Sequence, residues 1–98
     1  MEFEWDEAKR QKVIGERGID ILYAALIFEG PVLTKPDLRR DYGEERLISL
    51  GMVGEECFLV VHTERNGVRR LITAWKGGRD ERANYQKGII GRHPQDEG

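Results

Sequence analysis

Cysteine is almost absent: Cys57 is the only one in 98 residues, so no internal disulfide can form. Histidine is nearly as scarce, and neither His62 nor His93 has a second His or Cys at zinc-ligand spacing. No apolar run approaches the roughly 20 residues that span a bilayer. The opening Met1-Glu2-Phe3-Glu4 is acidic and lacks the basic start and apolar middle of a signal peptide. Gly77-Gly78 lacks the Lys-Ser/Thr that would complete a P-loop. These absences lead us to expect a cytoplasmic protein with no cofactor, no metal and no membrane contact. Cys57 opens an apolar run and reads as a small packed side chain.

What is present suits one compact domain. Hydrophobic residues make up 39% and charged residues 35%, which is too apolar for a disordered chain. We expect a single domain over 1–88 and a flexible tail over 89–98. The net charge of −2 argues against a generic nucleic-acid binder, but the charge is uneven. Acids crowd the first half. From Arg65 to Arg92 bases dominate, against only Asp80 and Glu81. A basic patch on a near-neutral domain is compatible with phosphate binding on one face; a solvated surface is the plainer reading.

The expected order is β-α-α-β-β-β-β-α. Phe3-Glu4-Trp5 reads as a short edge strand. Asp6 is a helix N-cap for Glu7 to about Arg17, and Gly18 ends that helix. Asp20 caps a second helix, whose stripe is Ile21, Ala24, Ala25 and Phe28. Gly30-Pro31 stops it. Val32–Lys35 is a brief strand and Pro36–Gly43 a polar loop. Three strands follow, Glu45–Val53, Cys57–Arg65 and Val68–Lys76, joined by turns at Gly54-Glu55 and Asn66-Gly67. Asn-Gly is a strong hairpin signal. Arg79–Lys87 is a short polar helix. The fold class is α+β: an antiparallel sheet with two N-terminal helices packed on one face and a short C-terminal helix.

Two-residue turns fix a register. It sets Glu64 opposite Arg69, His62 opposite Leu71, Phe58 opposite Trp75, and Met52 opposite Cys57. Alternation then sorts the side chains. Ile48, Leu50, Met52, Leu59, Val61, Ile72 and Ala74 form an apolar face, expected to lie under the helices. The other face is mixed, with Leu47, Ser49, Phe58, Val60, His62, Glu64, Arg69, Leu71, Thr73 and Trp75. It reads either as the partly wet side of an open sheet or as a concave binding surface. In the second reading Phe58 and Trp75 stack on bases and His62 moves a proton.

Five stretches, in order, resemble one family. They are Phe3-Glu4-Trp5-Asp6 with Lys9; Gly18 with Ala24-Ala25 and Phe28; Gly43-Glu44-Glu45-Arg46 with Ile48, Leu50-Gly51-Met52; Val60 to Arg65; and Arg70 to Ala74 with Glu81 and Tyr85. Together they resemble the BrnT-type toxins of type II toxin–antitoxin systems. That resemblance implies a RelE-like fold and RNA cleavage without a metal cofactor. It further implies inhibition of translation and growth, and neutralisation by a BrnA-like ribbon-helix-helix antitoxin, with operator DNA bound only through the toxin–antitoxin complex. The chain departs from the family where many members carry arginine: here Trp75-Lys76 stands.

RNA brings its own nucleophile, the 2′-OH, so the protein must supply a base, an acid and positive charge at the scissile phosphate. The catalytic candidates are His62 as acid or base, Arg65 and Arg79 on phosphate, Tyr85 as a donor or orienter, and Lys9 as a further cation. Candidates for RNA contact are Arg46, Arg69, Trp75, Lys76 and Arg82, with Glu81 positioning an arginine. The acid pairs Glu44-Glu45 and Glu55-Glu56 read as solvated. The alternative is a non-catalytic interaction module using the same mixed face, with Trp75, Phe58 and the arginines as anchors.

Overall fold

The computed structural model describes residues 1–88; the expected tail, with His93, lies outside the described residues. The observed elements are β1 (Glu2–Trp5), α1 (Glu7–Arg17), α2 (Ile21–Ala24), a 3-10 segment (Ala25–Glu29), β2 (Leu33–Pro36), β3 (Leu47–Val53), β4 (Glu56–Arg65), β5 (Val68–Lys76) and α3 (Arg79–Gln86). The five strands form one sheet in the order β1-β5-β4-β3-β2. Among the described residues no helix is long and apolar enough to cross a membrane.

Local signals in the chain place most boundaries. The Asp6 carboxylate accepts the N–H groups of Ala8 and Lys9 at 2.9 and 3.3 Å, which starts α1. Gly18, at φ +67°, ends it with its N–H on the Ile14 carbonyl. Replacing Asp6 with alanine removes this cap and should lower stability by about 1 kcal/mol, read as a fall in the urea midpoint. Asp20 caps α2 through Leu22 N–H and also takes a two-pronged bond from Arg10. The second helix is shorter than its stripe suggests: after Ala24 it tightens to the 3-10 form. Asn66 and Gly67, both at positive φ, make the β4–β5 turn.

The structure corrects three expectations. First, the sheet is mixed, because β1 runs parallel to β5. No hairpin joins these two strands, so nothing forces the antiparallel sense. Second, the β4–β5 register follows the expectation only from Arg65↔Val68 to His62↔Leu71. A bulge then leaves Val61 opposite Thr73, Leu59 opposite Trp75 and Phe58 opposite Lys76, so Phe58 does not face Trp75. The extra residue moves Ala74 and Trp75 to opposite faces from those expected.

Third, α1, α2 and the 3-10 segment cover the mixed face, not the all-apolar one. Val13, Ile21, Ala24 and Ile27 pack on Phe58, Val60, Leu71 and Ala74. Small residues explain the choice. A Cβ on Gly51 would lie 2.8 Å from Ile27 Cβ, so only glycine lets the 3-10 segment settle so closely. The opposite face holds a second core of Ile48, Leu50, Cys57, Leu59 and Val61, with Ile72, Trp75 and Tyr85 packed against it. We call this second side the open face.

Candidate nucleic-acid interface

The expected proton carrier lies in the helix-covered layer. His62 is 1% exposed. Its Nε2 is 2.7 Å from Ser49 Oγ, which is 2.7 Å from Thr34 Oγ1. The Phe28 ring stands edge-on over the imidazole at 5.1 Å. Nδ1 lies 3.2 Å from Glu64 Oε2 but off the line of a hydrogen bond, and so has no bonded partner. Burial, and then the Arg69 charge, push the His62 pKa down to about 4, against a smaller upward pull from Glu64. The ring is therefore neutral at pH 7. Arg69 belongs to the same cluster: its guanidinium is 4.0 Å from the Phe28 ring centre and 3.1 Å from Glu64 Oε2. Both side chains hold the sheet to the 3-10 segment, away from the open face.

Three other candidates meet on the open face, at the end of the sheet where β3 begins and β4 ends. Lys9 comes from the first turns of α1, Arg46 from the approach to β3, and Arg65 from the end of β4. Two neighbouring hollows of about 270 and 220 Å³ share Glu44 and Arg70 in their walls. Lys9 and Arg46 line the larger, and Arg65 and Thr63 the smaller. Glu44 sits between two arginines, 3.2 Å from Arg46 Nε and 3.7 Å from Arg65 Nη2. The Arg46 guanidinium also lies 4.0 Å from the Tyr42 ring centre, a cation–π contact. Arg70 reaches Glu4 at 3.4 Å and is half exposed.

The remaining candidates lie elsewhere. Arg79 is exposed at the start of α3. Glu81 accepts the Gly78 N–H at 3.2 Å and so caps α3. Arg82 donates to the Glu55 carbonyl at 2.8 Å, and Tyr85 to the Pro31 carbonyl at 2.6 Å. These bonds dock α3 on the far end of the sheet. Lys76 pairs with Glu56 at 3.3 Å, also at that end. Trp75 is half-buried on the open face, three strand residues beyond Ile72 and thus about 10 Å along β5. The Arg39 and Arg17 guanidinium carbons stand 4.9 and 5.9 Å from its ring centre.

Sequence reasoning did not single out Arg70, Arg39 or Tyr42, and it took Glu44 for a solvated acid. For Arg70 a signal existed: it falls on the same side as Thr63 and Arg65 once His62 opposes Leu71. The other three lie in the β2–β3 loop, which has no periodicity to read. That loop is pinned by the buried Asp37, whose carboxylate takes Arg39 Nε and Nη2 at 2.7 and 2.8 Å. The Arg39 guanidinium holds the Asp37 carboxyl below its usual range. Among the described residues, no three His, Cys, Asp or Glu side chains gather as a metal site.

A family model described as "Ribonuclease toxin, BrnT, of type II toxin-antitoxin system" matches residues 5–81. The chain belongs to the BrnT family. A search of curated proteins returned no match. BrnT membership makes the chain a ribonuclease toxin by family, with a protein antitoxin as partner and RNA as target. The match runs from β1 into α3, so it includes the elements that carry Lys9, Glu44, Arg46, Arg65 and Arg70.

Proposed function

We propose that this BrnT toxin is a metal-independent, RelE-like endoribonuclease that cuts RNA in the paired hollows of the open face. One observation carries the reading: four cations from four elements, Lys9, Arg46, Arg65 and Arg70, line two hollows that share the Glu44 carboxylate, while the other two acids there are engaged, Asp6 in capping α1 and Glu4 with Arg70. The arginines and Lys9 bind the scissile phosphate and offset the charge that builds on its oxygens in the transition state. Glu44 takes the proton of the 2′-OH as that oxygen attacks phosphorus. The P–O5′ bond breaks, and Lys9 gives a proton to the leaving oxygen. The products are a 2′,3′-cyclic phosphate and a 5′-OH, with no external nucleophile. Trp75, flanked by Arg39, offers the next base an aromatic surface. His62 and Arg69 hold the sheet in shape, while Arg79, Arg82, Glu81, Tyr85 and Lys76 serve the far end of the fold.

The wider role we propose is cytoplasmic. RNA cleavage stops translation and growth until a BrnA-like ribbon-helix-helix antitoxin binds, and that complex occupies operator DNA. The toxin domain spans 1–88. The test is incubation of the purified chain with a labelled oligoribonucleotide in excess EDTA. Cleavage to 5′-OH ends is expected. Cleavage that stops in EDTA and returns with a divalent ion would overturn metal independence.

A further inference from the structure

Opposite the cationic hollows, across β1, lies an apolar groove of about 260 Å³. Phe3 and Trp5 of β1 form one wall, Leu22, Leu26 and Phe28 the other, and Leu71 the floor. Phe3, Trp5 and Leu26 are about 40% exposed, a high value for such side chains gathered in one place. β1 is an edge strand of the sheet, so its outer backbone groups have no strand partner among the described residues. Among the described residues the one charged side chain lining the groove is Glu29; at the rim the Glu7 carboxylate accepts the Trp5 indole N–H at 2.9 Å and pairs with Arg10 at 2.9 Å, and the Arg69 guanidinium lies 4.0 Å from the Phe28 ring centre. An apolar trough whose own lining carries one carboxylate, Glu29, and no cation suits a peptide with apolar anchors and a Lys or Arg flank, and not a phosphate backbone.

We propose that this groove is the seat of the antitoxin, filled by an amphipathic segment with basic flanks. The proposal rests on the reading of the chain as a toxin with a protein antitoxin. It also explains how binding at the groove would silence the hollows. β1 is their common wall: Phe3 and Trp5 face the groove, while Glu4 turns the other way to pair with Arg70. A partner seated against Phe3 and Trp5 lies one strand's thickness from Arg70, and its flanking chain can pass over β1 to cover the phosphate site.

The test uses the full chain and the purified product of the paired antitoxin gene. Binding is titrated for wild type, for the double variant Phe3→Ser/Leu26→Glu, and for Leu38→Glu as a control; Leu38 is 81% exposed in the β2–β3 loop. The double variant should bind more than tenfold more weakly and the control like wild type. RNA cleavage by the double variant should match wild type, which shows that it folds. Equal affinity of the double variant, or equal losses in both variants, would overturn the proposal. So would a wild-type dimer that the double variant splits, because the groove would then be a self-interface. A chain that binds the antitoxin as expected but does not cleave RNA would overturn the nuclease site and leave the groove standing.

Discussion

Replacing Arg70 with glutamine should lower single-turnover RNA cleavage by about 10²–10³-fold, the usual effect of removing one donor aimed at a transition-state oxyanion. Stability should hardly change. Arg70 is half exposed, and its ion pair with Glu4 is a surface pair of the kind worth about 0–1 kcal/mol. The two readouts therefore separate: the rate falls while the urea midpoint stays. Arg70→Lys should recover part of the rate, because the charge remains but the planar fork is lost. A glutamine variant within threefold of wild type would remove Arg70 from the site.

Stability should fall by about 2 kcal/mol between pH 7 and pH 5, and His62 should cause most of that fall. In the unfolded chain an ordinary histidine takes up its proton near pH 6.5. In the folded chain burial delays that uptake to about pH 4. Between these values the unfolded state binds more protons, so acid favours unfolding. The contribution is fully present above pH 6.5 and is lost as the pH falls toward 4. Asp20 and Asp37 act lower down, because each carboxyl is held below its ordinary value by an arginine and loses its contribution only in stronger acid. Urea titrations of wild type and His62→Gln over pH 7 to 5 isolate the effect. The variant should lose most of the slope. An equal slope in both proteins would mean that the buried imidazole is not its source.

The chain shows its strands more plainly than its layers. The turns at Gly54-Glu55 and Asn66-Gly67 fix β3, β4 and half of β5 because two-residue turns leave no freedom in register. The bulge near Ile72 carries no such mark. No glycine announces it, and it arises where the β4–β5 pairing must also accommodate the helix layer over Ala74. The side the helices take was illegible for a related reason. Both faces carry apolar residues, and the choice turns on Gly51 and Ser49, whose small size matters only once Ile27 is known to lie above. His62 looked like chemistry because histidine titrates near neutrality. Its burial under Phe28 depends on a contact between residues 34 positions apart. Lys9, Arg46 and Arg65 were legible as cations, but their meeting required the fold.

The central claim is that RNA binds the open face and not the face that holds His62. A 2′-O-methyl oligoribonucleotide tests it most directly, because it presents every phosphate but has no 2′-OH to attack. Titrated into isotope-labelled protein, it should shift the amide signals of Lys9, Arg46, Thr63, Arg70 and Ile72, and the Trp75 indole. Shifts confined to Ile21–Phe28 or to Arg79–Arg82 would contradict the account.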